Sequence, residues 1–299
     1  MTFNDRAYGT LAGGLAGFMM GRPAYGLTRY EIKKKYDRIT DIQADVGASE
    51  NSHAVKLMDE AVVLAKVLVR DGRFDAPIYK QELEASDSEQ YAAEAAGHIS
   101  SELFKAVPLG MKYTYDIPTC IDAAASMAEL KDCSSPACAG ACAIAAAVAA
   151  GVEGNCSIDD VIQLAFDSAV YGERRGTSGC GPSVSRRIKL AKKLVNDAEG
   201  AELSYVAGEL TDVFGAEDRI YESVPFVLGI FYAVGGNAKK GIEEVVNAGG
   251  ASDTNAALCG AVCGAFSGIN ALPADWSSRA DVFSGAKLSD VSAKLVRRV

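Results

Sequence analysis

Apolar residues recur along this chain at the three- and four-residue spacing of helices, and no run alternates as a half-buried strand does. From His53 to Arg70 the apolar positions keep helical spacing, and Asp71-Gly72 ends the run. Ala137 to Val152, Ser157 to Val170, Arg186 to Leu194, Ser223 to Val234 and Ala238 to Ala248 read the same way. Leu11 to Met20 is too short to span a bilayer and reads as a core helix. Loops are expected at Arg22 to Ala48, Arg73 to Pro77, Val107 to Pro118 and Gly172 to Ser185. The first is long and polar for a compact domain, which marks a binding loop or a lid.

Two stripes of small residues stand out. Gly9, Gly13, Gly17 and Gly21 recur every fourth residue, and Gly260, Gly264 and Gly268 form a second face of the same kind. Faces this bare invite helices to touch backbone to backbone, so the two are natural partners. The pattern predicts an all-α protein, a single helical domain over residues 1–299, with 49% apolar residues to fill its core. A net charge of -9 argues against nucleic-acid and anionic-membrane partners, and leaves a small-molecule substrate as the expected one. The eight cysteines mostly sit inside apolar helical patterns, unlike a disulfide framework, which places the protein in the cytoplasm.

The densest chemistry lies in Gly249-Gly250-Ala251-Ser252-Asp253-Thr254-Asn255, where two glycines precede an acid and a hydroxyl at a helix start. Such a pair caps a helix, holds a metal ion or faces a substrate. Ser49-Glu50-Asn51-Ser52-His53 repeats the theme at the start of another helix, after Gly47. Two such helix N-termini can converge on one pocket. The segment from Gly172 to Arg187, rich in glycine, hydroxyls and arginine, reads as a connecting loop with a solvated basic rim, or as a nest for an anion. Arginines near Cys180 make a reactive thiol conceivable, but no histidine accompanies it. Cys138 with Cys142, and Cys259 with Cys263, sit one turn apart among alanines and glycines, as small apolar fillers do.

These motifs, in this order, resemble the ADP-ribosylglycohydrolase family. The C-terminal stretch from Gly249 to Thr254, through Gly260 to Ala265, to Leu272-Pro273-Ala274-Asp275-Trp276 is similar to that family's Gly-Gly-Asp-x-Asp-Thr loop, small-residue helix and Ile-Pro-x-x-Trp close. Gly9 to Gly21 followed by Pro23 resembles its opening segment, Ser49 to Ser52 its Thr-Asp-Asp-Thr motif, and Lys105 to Gly110 the end of its Pro-Leu-Gly stretch. The resemblance implies a compact orthogonal helical bundle, a two-magnesium site, and hydrolysis of the bond between ribose and a side chain or similar group. It also shows departures. Ala251 replaces one expected aspartate, Asn51 another, and Glu50 lengthens a third. Phe18 and Tyr25 stand near the places of two further acids, and Ser100-Ser101-Glu102 replaces an Asn-Gly stretch that faces a diphosphate.

Magnesium needs hard anionic oxygens in a strict octahedron, so the altered donors Glu50, Asp253 and Thr254 are expected to hold one magnesium ion weakly or none. The expected activity is hydrolysis of a C–N bond, N-glycosidic or amide-like, in a cleft between the two helix N-termini. Glu50 and Asp253 share the acid–base work, with His53 as a further proton carrier. Ser49, Asn51, Ser252, Thr254 and Asn255 orient substrate or water, and Tyr25 lies beside them. Glu31 and Asp41, in the first loop, are candidates to replace the acid lost at Tyr25. The rival readings are a ligand-binding protein without turnover and a structural protein on the same fold. The small-residue faces leave oligomerisation open.

Overall fold

The structure is a computed structural model that describes residues 1–43, 53–86, 99–178 and 181–297. Among them are fifteen α-helices and no strand. The centre is α1 (Phe3–Gly21) lying antiparallel against α13 (Ser252–Ser267). Gly9 abuts Gly264, Gly13 abuts Gly260, Gly17 abuts Ala256 and Gly21 abuts Ser252, a register that repeats every four residues. A β-carbon added at Gly13 would lie 2.2 Å from the Gly260 carbonyl oxygen. The helices therefore approach to backbone contact, as the two glycine stripes anticipate.

Around this pair, α7 (Ser135–Glu153) packs on α8 (Ile158–Arg175), α6 (Ile117–Glu129), α5 (Ala106–Lys112) and α13. By length and composition α7 is apolar enough to cross a membrane, yet 94% of its apolar window is buried inside the protein. Its alanines and cysteines fill the interior, so its apolarity is that of a core helix. Arg6, from α1, donates to the carbonyls of Gly151 at 3.1 Å and of Phe266, at the C-terminal ends of α7 and α13. A cation among terminal carbonyls satisfies orphan acceptors and complements both helix dipoles.

The helix α11 (Ile220–Ala233) contains Pro225, which has no N–H to offer the carbonyl of Tyr221. Arg187, from α9 (Val184–Asp197), supplies the missing donor at 3.1 Å. The α11 start, next to the candidate site, is thus held by a side chain from another helix.

The helices expected from periodicity are present, and α12 (Ala238–Ala248) has the expected limits. Two expected loops are corrected. The stretch from Arg22 to Ala48 contains α2 (Arg29–Tyr36), whose sequence is almost wholly polar and carries no apolar stripe. A capping box makes it a helix, with Thr28 accepting from the Glu31 N–H and Glu31 answering the Thr28 N–H. The stretch from Val107 to Pro118 contains the buried α5, which is uniformly apolar and so has no period to read. Periodicity also left out α4 (Ala76–Ala85), α6, α10 (Leu203–Phe214), α14 (Ala274–Ser284) and α15 (Leu288–Leu295). The remaining helix, α3 (His53–Asp71), closes the inventory.

Candidate functional site at the start of the small-residue helix

Gly249 and Gly250 adopt φ of +85° and +67°, the left-handed region where glycine is at home. Their turn is also crowded: a β-carbon at Gly249 would sit 2.2 Å from the Leu27 carbonyl oxygen. The turn pairs with the loop after α1, since the Gly26 N–H donates to the Gly250 carbonyl and the Gly250 N–H to that of Leu27, each at 2.9 Å. On its other side the Ala251 N–H donates to the Ala216 carbonyl at 2.9 Å, and Asn255 Nδ2 donates to the same oxygen at 2.8 Å. Two loops, 22–28 and 215–219, are therefore stitched to the first turn of α13.

Within that turn Asp253 is 6% exposed and Thr254 is 7% exposed. Asp253 Oδ1 accepts from the Thr254 N–H at 2.7 Å and from the Thr254 hydroxyl at 3.4 Å. Burial pushes the Asp253 carboxyl above its ordinary range, and Asp218 adds to the push. The Thr254 N–H and the charge of Arg22 oppose it without winning. A buried carboxyl that holds its proton more tightly than usual is the form suited to general acid work.

Tyr25, in the loop after α1, is 59% exposed. Its phenol is shifted up by partial burial and then by the charges of Asp253, Asp218 and Glu217. Asp218 in turn accepts a hydrogen bond from the Ser100 hydroxyl. Glu217 and Asp218 are acids that sequence reasoning passed over. The available signal was Ala216-Glu217-Asp218-Arg219, a charged run directly before an apolar helix, but nothing local indicates that this loop folds back onto residues 249–255.

Several expectations are corrected by these placements. Ser252 is fully buried and donates to the Gly21 carbonyl at 2.8 Å, so it joins α13 to α1 rather than meeting a substrate. Asn255 is equally buried and holds the loop at Ala216, with its Oδ1 left without a partner. Glu31 is engaged in the α2 capping box, and Asp41 accepts from Trp276 Nε1 at 2.6 Å. Neither replaces an acid at the site, because each carboxylate already closes a structural bond. Ser49, Glu50 and Asn51 lie outside the described residues, as does Cys180. His53 opens α3, and its side chain is likewise outside them.

Of the magnesium donors that the resemblance implies, only those in α13 are described, since Ser49, Glu50 and Asn51 lie outside the described residues. In the first turn of α13 only Asp253 offers a carboxylate, and Ala251 presents a buried methyl where a second oxygen would be needed. Among the described residues no three of His, Cys, Asp and Glu are grouped to hold a metal. The cysteine pairs are buried. Cys259 and Cys263 are 3.8 Å apart at sulfur, and burial pushes Cys138 up to about 11. The basic segment around Arg175 is structural too, for Arg175 pairs with Asp122 and Glu129. Glu173 accepts from the Ser183 and Ser185 hydroxyls.

Comparison with known proteins agrees with this architecture. A solved ADP-ribosylglycohydrolase-related protein complex superposes with a TM-score of 0.70 at 19% identity, covering 99% of this chain and 98% of that one, which establishes the fold. The uncharacterized protein YegU of Escherichia coli K12 is 26% identical over 301 residues, covering 90% of this chain and 89% of its own. The ADP-ribosylglycohydrolase family profile matches residues 1–299 and supports a hydrolase-like function. The chain thus belongs to the ADP-ribosylglycohydrolase family.

Proposed function

We propose that this protein hydrolyses a C–N bond, N-glycosidic or amide-like, of a small cytoplasmic molecule in the crevice at the start of α13. The observation that carries the reading is Asp253, buried at 6% exposure, disposed to hold a proton, and flanked by Tyr25 and the 215–219 loop. Cleaving a glycosidic C–N bond requires a proton for the leaving nitrogen and an activated water. Asp253 donates the proton, with Thr254 fixing the orientation of its carboxyl. A second carboxylate activates the water; Asp218 is the candidate from the 215–219 loop and Glu50 the candidate from the sequence motif. Ser49 and Asn51 orient substrate, His53 relays protons, and Tyr25 covers the mouth. No step is assigned to a magnesium pair.

The test is product formation from a panel of N-ribosides and cyclic amides, followed by chromatography, for the wild type and for Asp253→Asn. Turnover by the wild type that falls at least 100-fold in the variant is expected. Equal turnover in the variant, or activity restored only by millimolar magnesium, overturns the assignment. A second reading, a binding protein without turnover, is favoured by the methyl of Ala251 at a former ligand position. It predicts thermal stabilisation by a ligand that is recovered unchanged.

A further inference from the structure

Ser100 carries a buried hydroxyl that the hydrolytic reading above does not use. It opens the 3-10 turn Ser100–Lys105, is 0% exposed, and donates to Asp218 Oδ1. A hydroxyl taken fully out of water needs a hydrogen-bond partner. Here the partner is a half-buried carboxylate 118 residues further along the chain.

The turn that carries Ser100 is anchored at its other end as well. Lys105, which is also buried, meets Glu60 Oε2 of α3 at 2.7 Å and donates to Glu102 within its own turn. Lys131, just after α6, donates to Glu60 Oε1 at 2.6 Å and lies 3.8 Å from Glu102 Oε1. The four charges satisfy one another in a closed ring, which fixes the turn in place.

The 215–219 loop is fixed from two further directions. Its Ala216 carbonyl accepts from the first turn of α13, and a β-carbon at Gly250 would lie 2.4 Å from that same oxygen. From α11, Glu222 Oε2 accepts from the Glu217 N–H at 3.2 Å, and the buried Ser223 hydroxyl donates to the Glu217 carbonyl at 3.0 Å. These bonds hold the backbone just before Asp218, and the Ser100 bond holds its side chain. After burial, the larger cause, the charge of Asp218 helps to raise both the Asp253 carboxyl and the Tyr25 phenol, as neighbouring groups do.

We infer that Ser100 is a positioning residue of the hydrolase proposed above, its hydroxyl holding the Asp218 carboxylate beside Asp253 as the group that activates water. The inference rests on that reading of Asp253, and it selects Asp218 over Glu50 as the second carboxylate. Asp218 takes a proton from water while the water oxygen bonds to the carbon of the C–N bond. The electron pair of that bond passes to nitrogen, which takes the Asp253 proton. The products carry a hydroxyl on carbon and an N–H on the leaving group, and solvent returns the proton from Asp218 to Asp253. A carboxylate has about four acceptor sites, so one bond from Ser100 orients it without filling it. Misplacement by about 1 Å costs up to the order of 100-fold in rate, so loss of the bond is expected to appear in kcat.

Steady-state kinetics of the full chain, on whichever N-riboside or cyclic amide of the panel it cleaves fastest, test this. Ser100→Ala is expected to lower kcat at least tenfold with KM moved less than twofold, and Asp218→Asn to lower kcat at least 100-fold. In the Asp218→Asn background, Ser100→Ala is expected to cost less than a further twofold, because the group it positions no longer takes a proton. A serine with only a structural role would lower both backgrounds alike. Ser100→Cys, similar in volume and a weaker donor, replaces Ser100→Ala if that variant does not fold, with an expected loss of at least threefold. A smaller kcat loss than these, equal losses in the two backgrounds, or turnover stopped by Glu50→Gln and untouched by Asp218→Asn overturns the role of Ser100 and leaves the hydrolase standing. No cleavage of any panel member by the wild type, or equal turnover by Asp253→Asn, overturns the hydrolase and the role of Ser100 with it.

Discussion

Gly13→Ala probes the contact on which the site's rigidity depends. The added methyl would lie 2.2 Å from the Gly260 carbonyl oxygen, a backbone atom that cannot rotate away. Reaching an ordinary contact of about 3.4 Å from 2.2 Å requires α1 and α13 to part by about 1.2 Å, which forfeits roughly half of the dispersion gained across their seam. Overpacking against backbone that cannot yield costs about 3 kcal/mol, the top of the usual range, and alanine returns about 1 kcal/mol through its better helix propensity. The net expectation is a loss of about 2 kcal/mol, or a fall of roughly 3 °C in Tm for a chain of this length. Gly260→Ala, with its β-carbon 2.1 Å from the Gly13 carbonyl oxygen, should cost a similar amount. Once the helices have parted for one methyl the second finds room, so the double variant should cost clearly less than the sum. Calorimetric melting of the two single variants and the double variant decides the matter. A Gly13→Ala protein as stable as the wild type, or strictly additive losses, would refute the backbone-contact register.

Other outcomes follow from particular residues. Asp253 titrates higher folded than unfolded, so its contribution to stability is whole below the ordinary aspartate range and is lost as pH rises through the folded value. Asp253→Asn escapes that loss and should be on the order of 1 kcal/mol more stable at pH 7 but no more stable near pH 3, as denaturant titrations at the two pH values would show. Asp37 has φ of 56°, in a tight turn where the Arg38 N–H donates to the Tyr36 carbonyl at 2.7 Å. Asp37→Gly should relieve about 1 kcal/mol of backbone strain and raise Tm. Arg187→Met strands the Tyr221 carbonyl freed by Pro225 and should cost about 1–3 kcal/mol in chemical denaturation, while Lys193→Met on the exposed face of the same helix should be near neutral.

The sequence by itself determined the helical class, because helix burial imposes a three-to-four-residue apolar period that can be read locally. It also determined the partnership of α1 and α13, since two four-residue glycine stripes have few other uses. Asp253 and Thr254 were legible as candidate residues because a Gly-Gly turn before an acid at a helix start is a local pattern. Where helices are apolar throughout, as in α5, or polar throughout, as in α2, period carries no signal and capping or burial decides. The tertiary structure alone decided which polar groups gather around Asp253. It assigned Ser252 and Asn255 to bracing backbones, Glu31 to a cap and Asp41 to Trp276, and it brought Glu217 and Asp218 in from a distant loop. Only the folded chain could close Glu60, Glu102, Lys105 and Lys131 into one ring, because charges far apart in order interact strongly only once burial removes the water between them.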